Sequence, residues 1–161
     1  MRRLIKKRRS MLYIPGNNAA MIQQGGVYGA DCVLLDLEDS ISPAEKDAAR
    51  ILLKYTIPAV DFYGGGVVVR INHQNTPFGY ADLEAIVPIQ PDGLRLPKIE
   101  SAEEVMHVIR LIEEIEDAHR LPHDRMTVEA MIETAIGVEN ALEIATASPR
   151  IAAIAIGGQD L

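Results

Sequence analysis

Two acidic residues near the end of the sequence stand where chemistry is expected. The extended apolar run Met126–Ile132 closes on Glu133, and the run Ile151–Ile156 leads through Gly157, Gly158 and Gln159 to Asp160. Between them Gly137–Ala147 reads as one helix. Strand, helix and strand form a βαβ unit whose parallel strands open their C-terminal ends on one face. Two carboxylates at that edge suit a hard divalent cation that keeps several waters for its substrate. The plainer reading has both acids finishing strands in water, but two such charges brought together would repel without a cation. Their separation, 133 to 160, suits one strand-helix-strand step.

The elements that must position these acids repeat along the chain. Short runs rich in Val, Ile and Leu predict six strands: Ser10–Ile14, Cys32–Leu37, Val67–Ile71, Gly93–Leu96, Thr127–Ile132 and Ile151–Ile156. The gaps predict helices over Asn18–Gly25, Pro43–Tyr55, Ala102–Glu116 and Gly137–Ala147, with a shorter one around Ala81–Ile86. Ser42 before Pro43 and Ser101 before Ala102 are the expected N-caps, the second followed by two acids where the helix dipole favours them.

Strand alternating with helix at roughly thirty residues means an α/β barrel or a doubly wound sheet. The placement of polar residues favours the barrel. Five of the six strands end in charged or metal-capable residues: Glu38 with Asp39, Arg70, Lys98, Glu133 and Asp160. A barrel gathers every strand end at one mouth, whereas an open sheet gathers only those at its switch point. The expected fold is therefore a (β/α)8 TIM barrel to which this chain supplies about six of the eight strands. Residues 1–161 are expected to form one incomplete barrel domain, the N-terminal three-quarters of a longer protein. If they stand alone, the first and sixth strands should act as open edges along which copies associate.

Composition narrows the class. With 161 residues, 48% hydrophobic content and no Trp, the chain can build one core of Val, Ile, Leu and Ala, as parallel sheets prefer. Six of the sixteen Lys and Arg fall in residues 1–10, leaving 23 acids against ten bases in the rest. An acidic body argues against nucleic-acid binding, and the basic start reads as an arm or simply a solvated tail. Cys32, inside an apolar run, reads as core rather than nucleophile, and a single cysteine gives no internal disulfide. No window approaches about eighteen apolar residues, so no membrane span is expected and the protein is placed in the cytoplasm. His73, His107, His119 and His123 receive no metal role, and Gly64-Gly65-Gly66 precedes a strand and reads as a turn.

Several blocks resemble the citrate lyase β-subunit family, citryl thioester lyases of the HpcH/HpaI aldolase group. They are Arg8–Gly16, Leu35–Ser40 with Glu45, Lys46, Ala49 and Arg50, Val69–Asn72, Arg95–Lys98, Ile132–Gly137, Asn140–Ala145 and Gly157–Leu161, and they run in order along the whole chain. The resemblance implies a magnesium-dependent lyase acting on citryl, malyl or citramalyl thioesters. It places Glu133 and Asp160 on the two metal ligands and Arg70 on the substrate-binding arginine, with Tyr13 assigned to substrate binding beside it. After Val67–Val69, Arg70 belongs at the mouth, where its fork can grip a carboxylate or enolate oxygen; a structural ion pair with Glu38 or Asp39 is compatible with that role. Asp36, Glu38 and Asp39 alternate, so at least one points inward, and Glu38 is the favoured orienter of Arg70 or of metal-bound water, a catalytic position. Lys46 lies in a helix, and a surface lysine is the plain reading.

Two features depart from the family pattern. Gly157-Gly158-Gln159-Asp160-Leu161 stands where Gly-Ala-Glu-Asp-Tyr is usual, so a charge is missing beside the ligand. Ala19, Ala20, Gln23 and Gln24 stand where some CoA-dependent relatives carry lysines, which favours a prosthetic group on an acyl carrier protein over free CoA. In relatives acting on CoA thioesters a catalytic Asp comes from the C-terminal region, often from a neighbouring subunit, and the general base is expected beyond residue 161. The implied cofactors are Mg2+ and a thioester carrier; the implied partners are a citrate lyase α subunit, an acyl carrier protein and further copies of the chain. Malyl-CoA or citramalyl-CoA cleavage is the alternative activity, and a non-catalytic truncated subunit the alternative class.

Overall fold

A computed structural model describes residues 8–158 and 161. Six parallel strands lie side by side in chain order: β1 (Met11–Pro15), β2 (Cys32–Asp36), β3 (Gly66–Arg70), β4 (Gly93–Leu96), β5 (Thr127–Ile132) and β6 (Ile151–Ile156). Six helices connect them: α1 (Ala19–Gln24), α2 (Lys46–Thr56), α3 (Gly79–Ile86), α4 (Ala102–Ala118), α5 (Ala135–Glu139) and α6 (Ala141–Thr146). Right-handed crossovers that always step the same way put every helix on one face of the sheet. A doubly wound sheet reverses direction and covers both faces. This one never reverses, so it is a partial barrel.

The two faces of the sheet have different fillings. Outward-facing Val33, Leu35, Val69, Leu94 and Val128 join Leu53, Leu83 and Ile112 of the helices in one continuous core. Cys32, Leu34 and Val68 point the other way, with Met11, into a smaller cluster in the lumen. Cys32 is thus a core residue, as expected. Among the described residues no helix is long and apolar enough to cross a membrane.

Helix boundaries differ from the sequence expectation where polar side chains intervene. Gly137–Ala147 is not one helix. Thr134 starts α5 early by accepting the Gly137 N–H at 3.2 Å, and Asn140 breaks the run at φ −90°, ψ 6°. Its side-chain amide donates to the Glu100 carbonyl at 2.9 Å, tying the break to the loop after β4. Ser101 caps α4 as predicted, accepting the Glu104 N–H at 3.2 Å. Ser42 does not cap: its hydroxyl meets the Glu45 carboxylate at 3.0 Å, and Pro43–Glu45 forms a 3-10 turn ahead of α2.

Candidate active site at the barrel mouth

The C-terminal ends of β2 and β3 bring three acids to one arginine. Arg70 donates Nε to Asp36 Oδ1 at 2.6 Å and Nη2 to Asp36 Oδ2 at 2.8 Å, a two-point grip. Its Nη1 lies 2.9 Å from Glu38 Oε2 and 3.4 Å from Asp39 Oδ2. Glu38 therefore touches Arg70 as expected, but Asp36 holds the fork. Burial raises the Asp36 carboxyl, yet hydrogen bonds from Arg70 and Ser40 outweigh it and leave the group below the usual range. Burial pushes the Glu38 carboxyl up, against the pull of Lys98 and Arg70.

Lys98, read from sequence only as a strand-end charge, links three strands. Its ammonium donates to Glu38 Oε1 at 2.5 Å, and its backbone N–H donates to Glu133 Oε2 at 2.8 Å. It does so from φ +52°, a left-handed conformation that non-glycine residues adopt rarely and that concentrates at functional sites.

Lys46 is buried, which corrects its reading as a surface lysine. Its ammonium donates to the carbonyls of Leu37 at 2.8 Å and Glu38 at 2.6 Å, and burial holds it below its ordinary pKa despite the acids nearby. Asn72 donates to the same Leu37 carbonyl at 2.9 Å and to Asp82 at 2.7 Å, and Arg50 holds Asp82 from behind at 2.8 Å. This network fixes the turn that carries Glu38 and Asp39. Lys46→Met is expected to lose about 2–3 kcal/mol in urea unfolding, because two buried carbonyls lose a charged donor. An unchanged midpoint would show that the turn holds without it.

Tyr13, Asp36, Asp39, Arg70, Glu133 and Gly157 line one cavity of about 710 Å3. The structure thus unites Tyr13, Arg70 and Glu133, with Glu38 buried behind Arg70; Asp160 lies outside the described residues. Glu133 is 3% exposed. A Cβ on Gly157 would fall 2.5 Å from Glu133 Cγ and 2.8 Å from its Oε1, so the glycine leaves the room that this carboxylate occupies. Among the described residues no three Asp, Glu, His or Cys side chains form a ready ligand set. Glu133 offers a hard cation a buried carboxylate at a strand end that lines the cavity, whereas the Asp36 carboxylate there is taken up by the Arg70 fork.

A sequentially ordered parallel sheet forming a partial barrel, with acids and a forked arginine around its mouth, defines the α/β-barrel class. Residues 9–161 match the HpcH/HpaI aldolase/citrate lyase family, and the chain belongs to it. It is 43% identical over 153 residues to the citrate lyase subunit beta of Leuconostoc mesenteroides subsp. cremoris, covering 95% of this chain and 51% of that protein. It is 37% identical to a (3S)-malyl-CoA thioesterase of Cereibacter sphaeroides, over 95% of this chain and 50% of that one. The Mycobacterium tuberculosis citrate lyase beta subunit complexed with oxaloacetate and magnesium superposes with a TM-score of 0.71 at 30% identity, covering 96% of this chain and 61% of that one. Protein CitE from the same organism, in complex with magnesium, acetoacetate and coenzyme A, gives 0.71 at 33% identity, over 96% and 51%. The chain spans about half the length of the curated relatives it matches.

Proposed function

We propose that this chain carries the metal- and substrate-holding part of a magnesium-dependent carbon–carbon lyase that cleaves a citryl thioester to oxaloacetate and an acetyl thioester. The observation that carries the reading is Arg70, gripped by Asp36 and lining one cavity with Glu133. The citrate lyase relatives and the magnesium and oxaloacetate bound by one structural neighbour support it.

A citryl thioester bears a tertiary hydroxyl beside a carboxylate. Glu133, with Asp160, would hold Mg2+, which when bound supplies Lewis-acid polarisation of those oxygens. Loss of the hydroxyl proton lets its oxygen pair form the new carbonyl of oxaloacetate. The electrons of the broken carbon–carbon bond pass to the thioester as an enolate, which a proton then quenches. Arg70 meets that charge at its Nη1 side, where Asp39 sits at 3.4 Å and a ligand oxygen can take its place. Lys98 and Glu38 hold Arg70 and Glu133 in fixed relation, so the donors need not reorganise as charge develops.

Cleavage of malyl-CoA or citramalyl-CoA by the same carbon–carbon chemistry is a second reading; the malyl-CoA named by the thioesterase relatives and the coenzyme A in a structural neighbour support its substrate class, a CoA thioester. The carrier is accordingly an acyl carrier protein prosthetic group or CoA. The relatives' name, citrate lyase subunit beta, supports a multi-subunit setting; the partners proposed are an α subunit, an acyl carrier protein and further copies of the chain. The test is an assay of the full-length protein with citryl, malyl and citramalyl thioesters and Mg2+. Oxaloacetate release from the citryl substrate is expected; release of glyoxylate or pyruvate alone would move the assignment to the second reading, and cleavage of none of the three would overturn both.

A further inference from the structure

Side chains in register on parallel strands share a face, and one row across four strands reads Asp36, Arg70, Arg95, Glu129. That row points into the lumen, where bulky branched residues usually fill a barrel. Arg95 repeats what Arg70 does: its Nε and Nη2 donate to Glu129 Oε2 at 3.0 and 2.5 Å. The second Glu129 oxygen pairs with Arg8. Arg95 is 5% exposed and Glu129 1%, and a buried ion pair adds little stability over well-packed apolar side chains. Stability alone therefore gives a poor reason for this pair.

Besides a contact of Nη2 with the Met11 sulfur at 3.1 Å, Arg95 makes one bond that gives a better reason. Arg95 Nη1 donates to the Tyr13 hydroxyl at 2.6 Å. Tyr13 comes from β1 and Arg95 from β4, so this bond spans the lumen. Tyr13 is in register with Leu34, one pleat below the charged row, and its ring lies 5.6 Å from the Arg70 guanidinium and 5.8 Å from that of Arg95. The ring lines the cavity with both cations near it. A guanidinium can only donate, whereas a phenol has one proton to give and lone pairs to receive. With Arg95 donating to it and Arg70 unable to accept, the Tyr13 proton has to find an acceptor elsewhere, and Tyr13 lines the cavity.

We propose that Arg95 and Glu129 are positioning residues that fix Tyr13 across the lumen as a hydrogen-bond donor to a carboxylate or enolate oxygen bound in the cavity. For its ligand this rests on the proposed function; the placing of Tyr13 does not depend on it.

The test is calorimetric titration with oxaloacetate and Mg2+ of the unaltered chain, Tyr13→Phe, the paired change Arg95→Met with Glu129→Leu, and all three changes together. Removing the pair as a unit leaves neither Arg95 nor Glu129 as a lone charge; Arg8 loses its Glu129 partner but is partly exposed, at 17%. Loss of one charge-assisted hydrogen bond should weaken binding about tenfold in Tyr13→Phe. The paired change should weaken it equally, and the combination should bind no worse than Tyr13→Phe alone, because all the changes remove the same contact. Effects that multiply, or a paired change without effect, would overturn the proposal. If the paired variant does not fold, Arg95→Lys replaces it in the same comparison, since one ammonium cannot reproduce the fork onto Glu129 and Tyr13. Absence of oxaloacetate binding by the unaltered chain would count against the proposed function instead. A crystal structure of the paired or Lys variant then decides: Tyr13 displaced from the lumen supports the positioning role, and Tyr13 unmoved overturns it.

Discussion

Glu133→Gln is expected to weaken Mg2+ binding by about 100-fold or more and nearly abolish cleavage, while leaving the fold as stable as before. Partners one shell out from a metal already contribute about 10–100-fold, so a direct ligand should lie at or beyond the top of that range. Gln preserves the shape beside Gly157, and its amide oxygen can still accept the Lys98 N–H that now reaches Glu133 at 2.8 Å. Removing a charge from a side chain only 3% exposed also relieves desolvation, so the melting temperature without metal should hold or rise. The separation appears on adding metal. Mg2+ should raise the melting temperature of the unaltered protein, because it binds the folded state, and should do so far less in the variant. Equal stabilisation of both proteins by Mg2+ would remove Glu133 from the metal site.

The strands were legible because each is a short run of β-branched and aliphatic residues between polar turns. All six lie within a residue or two of their expected limits. Charges at their C-terminal ends pointed to the barrel, and the unreversed strand order agrees. Arg70 and Glu133 were readable for the same reason: a charge closing an apolar strand has only the mouth to go to. The supports behind them were hidden. Nothing local tells that Lys46, on a helix among acids and alanines, turns inward to the Leu37 and Glu38 carbonyls, because the Leu37 carbonyl is shared with Asn72, itself held by Asp82, from another part of the chain. Nor does a Lys after a Pro announce a left-handed backbone, as glycine or asparagine would. Asp36 lost to Glu38 in the sequence reading because alternation says only which face a residue takes, not which acid reaches the guanidinium. The lumen row did leave a signal. Leu94-Arg95-Leu96 and Val128-Glu129-Ala130 each set a charge between apolar neighbours, the period-two mark of a side chain on the opposite face.

Arg70→Lys is expected to reduce kcat/KM by about 100-fold to 1000-fold, the range for loss of one well-placed donor to a developing oxyanion. The substitution keeps the charge and loses the shape. Arg70 now meets Asp36 at two points, 2.6 and 2.8 Å, while its third nitrogen faces Glu38 and Asp39. An ammonium on a flexible stem can satisfy Asp36 or turn to the ligand, but it cannot hold both in a fixed plane. Stability should fall by only about 1–3 kcal/mol, because the three acids keep a cation among them and lose mainly hydrogen bonds. Mg2+ should still raise the melting temperature, since the Lys98 link to Glu133 is untouched. Loss of cleavage with metal binding retained places Arg70 on the substrate rather than on the metal. Near-normal kcat/KM in this variant would leave Arg70 a structural partner of Asp36 and would shift the search for the oxyanion donor to Tyr13 and Lys98.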